Sequence, residues 1–349
     1  MIRKWKILTL AFCAGLLLLS LVVRILSMRD PISQDFPLSE VWETRLGGNI
    51  VGISIADQNL VLVRTISSLN AVDTKRGNII WRYTLSWQAE PQPAVVKDGK
   101  VYVSDGDFLV ALNQEDGSLI WQQPTSYTES WVTDVSKDIV IVNQVGVDIL
   151  VFDTNTGSFL WRKPVCRGFV QAFTDNQSVY IPCYDLESVD AISGETSWKA
   201  EIGVRGNIGH SESVVYYLSG LIEAYDIQNQ KNLWSTSVVN NGFESFNLVD
   251  NDLFYTDASR LCMLDTSSGH LDWCVKTPYP QSPTVINNTA YVFDGSHKVV
   301  TAIQMSDGKI IGSLNLSNFN YFIVDMQLLA STDNLLFFAN GKNIYAYGN

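Results

Sequence analysis

Among the residues able to carry covalent, redox or metal chemistry, four of the five cysteines and all three histidines lie beyond residue 160. His210, His270 and His297 have no metal-ligand spacing among themselves or with the cysteines, so each reads as a surface or turn histidine and no metal site is expected. Cys166, Cys183, Cys262 and Cys274 form an even set in a chain that looks exported, which suits two disulfides. Four cysteines permit three pairings. The expectation is the local pairing, Cys166 with Cys183 and Cys262 with Cys274, each confined to one strand pair and neither crossing between repeats; four buried thiols are the alternative. Catalytic machinery is missing by type: no glycine-rich phosphate loop lies between a strand and a helix, since Gly203 to Gly209 falls between strands, and there is no nucleophile elbow. Asp73, Asp153, Asp190, Asp226 and Asp265 recur at one place in a pattern. That regularity points to turn caps and not to a pair of carboxylates for acid–base work.

The pattern they belong to is clearest from Leu109 to Trp121. Leu109 and Ala111 form one face of a strand, Asp116 and Gly117 supply a turn, and a second strand ends on Trp121. Asn113 can bond the backbone of that turn, and Gly117 tolerates the positive φ it needs. The strand ends on a tryptophan at 42, 81, 121, 161, 198, 234 and 273, and on Gly312 in the seventh full copy, a spacing of 36 to 40 residues. Two more short strands fit between successive copies, giving four per repeat. Arrays of this period are propellers, in which radial repetition leaves only short edges.

The count predicts an all-β, eight-bladed β-propeller of four-stranded antiparallel blades, and a monomer. Its last blade is shared between the termini: residues 40–44 carry Trp42 without a preceding strand, and the chain stops after Ile344 and Ala346, before the matching turn and last strand. Trp42, Trp81, Trp121, Trp161, Trp198, Trp234 and Trp273 are expected to dock each blade on the next. Gly312 predicts a looser contact after the seventh.

This repeat resembles the pyrroloquinoline-quinone-type propeller repeat, Ala-x-Asp-x-x-Thr-Gly-x-x-x-Trp; the copy at Val151, Asp153, Thr156, Gly157 and Trp161 follows it nearly throughout. The resemblance spans residues 40–349 and implies the propeller fold. It leaves function open, because the family holds both quinoprotein dehydrogenases and non-catalytic scaffolds, among them the propeller lipoprotein of the bacterial outer-membrane-protein assembly machine. In the dehydrogenases the resemblance implies a quinone between an aromatic platform and a disulfide of adjacent cysteines, with calcium on Glu and Asn. This chain has no adjacent cysteines, and Trp131, Glu129 and Asn207 are generic residues for those roles. No cofactor is expected, and a non-catalytic chain is favoured over a quinone-dependent dehydrogenase.

Residues 1–28 differ in kind from the rest of the chain. Arg3, Lys4 and Lys6 precede an uncharged apolar run of 17 residues, Ile7 to Val23, long enough to span a bilayer core as a signal anchor. The basic end places that side in the cytoplasm and the propeller outside the membrane. Residues 29–39, with Pro31 and Pro37, read as a tether, and 40–349 as the propeller. The formal charge is −12, of which the first 23 residues contribute +3, leaving −15 on the remainder. That balance argues against nucleic acid. With 46% hydrophobic and 11% aromatic residues the chain can bury a large core as one domain.

The connectors after each Trp strand vary far more than the hairpins, and in a propeller they gather at one mouth of the channel. Their aromatics, amides and charges suit contacts with a protein: Trp87, Glu90, Tyr127, Glu129, Trp131, Arg205, Asn207, Asn241, Glu244, Tyr279, Gln281, Asn320 and Tyr321. The function this supports is a membrane-tethered binding scaffold on the outer side of the cell membrane with protein partners at the membrane surface, assistance in envelope protein assembly being the sharper form. A ligand-sensing ectodomain working through a second protein is a further alternative.

Overall fold

In a computed structural model of the chain, the structure describes residues 36–86, 92–125, 130–144, 146–166, 170–211, 213–237, 245–249, 251–277, 280–294, 298–316 and 329–349. They form eight four-stranded antiparallel sheets, here blades 1 to 8, over residues 50–84, 95–124, 130–164, 173–200, 205–236, 245–276, 284–315, and 329–348 with 39–45. In blades 1 to 7 the strands run in sequence order from inner to outer. Blade 8 takes its outer strand, Ser39–Arg45, from the N-terminal side, and Trp42 faces Ala346 in its register. Eight apolar clusters, one at each junction including that between blades 8 and 1, close the circle. The residues read as a membrane helix, 1–28, lie outside the described part, and among the described residues no helix is long and apolar enough to cross a membrane.

The repeated hairpin explains the junctions. In blade 2 the Asn113 carboxamide accepts the Glu115 N–H at 2.8 Å, and in blade 3 Asp153 accepts those of Asn155 and Thr156 at 3.0 and 2.7 Å. Each glycine at the turn then lies under the tryptophan of the preceding blade: a Cβ on Gly117, whose φ is +69°, would sit 2.6 Å from the Trp81 ring. Close approach, and not turn geometry alone, therefore requires glycine there. The same tryptophan donates from its indole nitrogen to a carbonyl of the next blade, Trp81 to Gln114, Trp121 to Thr154 and Trp161 to Ala191, at 2.8, 3.1 and 2.9 Å. Trp42 joins the series across the seam, donating to Thr74 at 2.8 Å. Trp198 departs from it. The next turn holds Gln230 at φ +51° in the glycine's place, and among the described residues the Trp198 indole makes no such bond.

The junction after blade 7 is not loose. A tryptophan at Gly312 would find no turn to dock against, because blade 8 is the blade cut by the termini. Phe36 and Leu38 close the gap instead. Phe36 meets Tyr291 of blade 7 and Tyr347 of blade 8 edge-on, with ring centroids 5.9 and 6.1 Å apart, and Leu38 is buried in the same cluster. Two residues of the stretch read as tether thus pack as part of the ring.

Candidate functional site

The turns between the second and third strands and the connectors that leave the outer strands occupy one face. The connectors bond the tips of those turns: the first residue after the outer strand does so in Leu85 N–H to Ser67, Thr125 to Asp107, Val165 to Val147 and Thr277 to Ser259, and the last residue before the next inner strand does so in Val204 to Tyr184, at 2.7 to 3.1 Å. In blades 1, 2, 3 and 6 this places the connector at the same starting point before it crosses to the next inner strand.

A second contact ties the connector to the blade it is about to enter, and its chemistry changes from blade to blade. Between blades 1 and 2 the buried Asp105 carboxylate accepts from both the backbone and the hydroxyl of Ser86, at 2.8 and 2.9 Å. Between blades 2 and 3 the Gln144 amide donates to the Thr125 carbonyl. Between blades 3 and 4 the place is taken by the disulfide Cys166–Cys183, with Cα atoms 5.7 Å apart. Cys166 lies beyond the end of its outer strand, Phe159–Pro164, whereas Cys183 ends the second strand of blade 4. This bridge therefore crosses between blades, contrary to the expectation that both would stay within one. Cys262 and Cys274 are direct partners across the outer hairpin of blade 6 and form the other bridge, with Cα atoms 4.1 Å apart, as in a non-hydrogen-bonded pair.

Of the connector residues singled out from sequence, Trp87, Glu90, Tyr127, Glu129, Asn241, Glu244, Tyr279, Asn320 and Tyr321 lie outside the described residues. Trp131 is in the inner strand of blade 3, Ser130–Val135, half-buried opposite Asn143. Arg205 and Asn207 belong to the inner strand of blade 5, Arg205–His210, so the stretch read as a glycine-rich connector is largely strand. A register shift between Arg205 and Gly209 breaks the alternation that would have marked it. Gln281 donates its backbone N–H to the Phe293 carbonyl at 3.0 Å at the entrance to blade 7.

Around the channel, successive inner strands are linked by groups the repeat pattern does not announce. Asp134 accepts the Thr174 N–H at 2.8 Å, and burial raises its carboxyl above the ordinary range despite that bond. His210 stacks on Phe173 at 4.1 Å, and burial lowers its imidazole from 6.5 to about 4. It is neutral at pH 7. Asn247 donates to the Pro283 carbonyl at 3.1 Å. Among the described residues no group of three His, Cys, Asp or Glu could hold a metal ion.

Exposure adds residues that motif reading missed. Tyr184 is the most exposed of the large apolar side chains described, at 68%, and Val147 and Leu221 are exposed at the corresponding turns of blades 3 and 5. The sequence signal was the shortness of the turn: one residue separates Cys183 from Asp185, which pair with each other.

The family described as outer membrane protein assembly factor BamB matches residues 66–172 and 184–349. No curated protein matches in sequence. Among solved structures, BamB from Moraxella catarrhalis is similar at 16% identity, covering 90% of this chain and 98% of that one, with a TM-score of 0.67. The quinohemoprotein alcohol dehydrogenase ADHIIG from Pseudomonas putida HK5 is similar at 12% identity, covering 89% and 76%, with a TM-score of 0.65. At such identities the likeness is one of fold. The quinone site that the resemblance implied does not fit the cysteines of this chain, which are committed to bridges between residues 17 and 12 positions apart and not to an adjacent pair. With the match extending over most of its length, the chain belongs to the family of outer membrane protein assembly factor BamB, within the pyrroloquinoline-quinone-like propellers.

Proposed function

We propose that the chain is a non-catalytic propeller that binds proteins in the assembly of outer membrane proteins, held at the membrane on its outer side by residues 1–28 through the tether at 29–39. The family match over 66–172 and 184–349 carries this reading. The geometry supports it: a rigid ring presents, on one face, connectors fixed at their starts and free to differ beyond, the usual division between scaffold and binding surface. The candidate contacts are the connector residues from Trp87 to Tyr321 given with the repeat pattern. The cysteines, paired across 17 and 12 positions, do not supply the adjacent pair of the quinone site, so no step of dehydrogenase chemistry is assigned to the chain.

Cross-linking of the full chain in its native membrane, followed by identification of the attached proteins, tests the reading. Recovery of outer membrane assembly components supports it; recovery of no envelope protein above background overturns it. Reduction of a dye on addition of an alcohol or sugar, with pyrroloquinoline quinone and calcium present, would replace it with the enzyme reading.

A further inference from the structure

We propose that the tip of blade 4 is a docking anchor for a basic segment of a partner protein, with the Tyr184 ring at its centre; this rests on the protein-binding reading of the connector face. Tyr184 forms a turn by itself, at φ +64°. A bulky L residue is disfavoured in that region, whereas glycine adopts it freely, so the ring is kept here at a cost in backbone strain. The turn is held from several sides: Cys183 is bridged to Cys166, Asp185 pairs with Cys183 across the turn, and the Tyr184 carbonyl accepts the Val204 N–H at 2.7 Å. The backbone beneath the ring thus has little freedom left to lose on binding.

The surroundings select the partner. Val147 and Leu221 are exposed at the corresponding turns of the blades on either side. Asp148 and Asp185 open the third strands of blades 3 and 4 beside these tips, and Glu201 is exposed just past the outer strand of blade 4. Two bases of the neighbouring outer strands are engaged elsewhere, Lys163 and Lys199 with Glu187 at 2.7 and 3.3 Å, while Arg162 lies two register positions below Asp148. An exposed aromatic ring with carboxylates at Asp185 and Glu201 on its own blade attracts a lysine or arginine side chain through the ring quadrupole and through charge. The family match breaks over 173–183, the residues leading into this turn.

The probe is a labelled, unstructured 12-residue peptide of alternating lysine and serine, with a glutamate counterpart, titrated by fluorescence anisotropy against the whole ectodomain. Tyr184→Ser is expected to weaken binding of the basic peptide about 3- to 30-fold, Tyr184→Phe to keep it within about twofold, and the acidic peptide not to bind. Tyr184→Gly is the decisive variant, expected to raise Tm by relieving the left-handed backbone while losing the peptide as Tyr184→Ser does. Equal binding by the wild type, Tyr184→Ser and Tyr184→Gly would overturn the proposal, as would no binding of the basic peptide to the wild type. In the membrane cross-linking experiment, assembly partners recovered equally with the wild type and Tyr184→Gly would sink the anchor and leave the scaffold reading standing. No partners with the wild type, together with Tyr184-dependent peptide binding, would do the reverse.

Discussion

Replacing Trp42 with alanine should open the ring at one place. Trp42 is the seam residue: its strand reaches blade 8 from the far end of the chain, and its ring rests over Gly77 of blade 1 and 5.9 Å from Phe337 while its indole N–H bonds the Thr74 carbonyl at 2.8 Å. Truncating a buried tryptophan costs about 3 to 5 kcal/mol, and Trp42 is only half-buried, so about 2 kcal/mol of packing and about 1 kcal/mol for the hydrogen bond are at stake. A loss of about 3 kcal/mol raises the open population of that strand about 150-fold. Amide hydrogen exchange read by mass spectrometry should show this in residues 39–45 and in their partners 343–348, with the interiors of blades 2 to 6 little changed. The natural bridge of blade 6 supplies a rescue, since Glu43 and Tyr345 face each other in the register that Cys262 and Cys274 occupy there. Glu43→Cys with Tyr345→Cys closes a loop of 302 positions, loses the Tyr345 hydroxyl bond to Glu43, and should return a net of about 2 to 4 kcal/mol once oxidised. Uniform acceleration across all blades, or an oxidised bridge that leaves exchange in Trp42→Ala unchanged, would refute the latch.

Gly117→Ala should lower stability by about 2 to 3 kcal/mol in denaturant titration, since strain at positive φ and collision with Trp81 add; Gly99→Ala, at φ +73° with nothing within 4 Å of the new Cβ, should cost about 1 kcal/mol. Equal losses would show that the turn alone requires the glycine. Phe36→Ala should lower Tm and speed exchange at Tyr291 and Tyr347, its two ring partners; an unchanged exchange pattern would show that the segment contributes nothing to the seam. The folded imidazole of His210 titrates near 4, below its unfolded value of 6.5, so the unfolded chain binds the proton first as pH falls. Stability from this group is full above pH 6.5 and is lost progressively down to pH 4, about 3 kcal/mol in all, and His210→Phe should flatten urea stability across that window. Asp134, raised by burial, acts in the opposite sense, so an acid loss that persists in His210→Phe would place the titration elsewhere.

Fold and seam were legible because each rests on something local and repeated. A tryptophan every 36 to 40 residues dictates blade number, and an orphan strand at one end with its complement at the other dictates closure. The glycine of each turn was legible as a turn residue but not as the floor under the neighbouring blade's tryptophan, because that contact spans about one repeat in sequence and appears only when blades are stacked. The filling of the Gly312 junction escaped for a related reason: Phe36 stands 255 positions from Tyr291 and follows no register. The inner strand of blade 5 was hidden by its bulge, which destroys the two-residue alternation. Cys166 and Cys183 were read as bracketing one strand pair, but Cys166 already lies past the last strand of blade 3 and Cys183 belongs to blade 4. Periodicity sees what each blade repeats, and function lies in what it does not.

The contacts that tie connector to blade bear most directly on function. Ser86 with Asp105, Thr125 with Gln144 and Cys166 with Cys183 do the same job with two hydrogen bonds, one amide and one covalent bond. A ring that needed only to close would have no use for such differences, since the tryptophan junctions already bury most of the apolar surface between blades. What the contacts decide is how firmly each connector is held where it leaves the outer strand. The firmest hold stands beside the strained, exposed Tyr184, where fixing the backbone removes entropy that binding would otherwise have to supply. Removing that bridge with Cys166→Ser and Cys183→Ser, which leaves Cys262–Cys274 in place, should therefore leave the other junctions closed, with exchange unchanged in blades 1 and 7, and release the turn at Tyr184 alone. General loss of structure in that variant would mean that the bridge serves the fold and not the face.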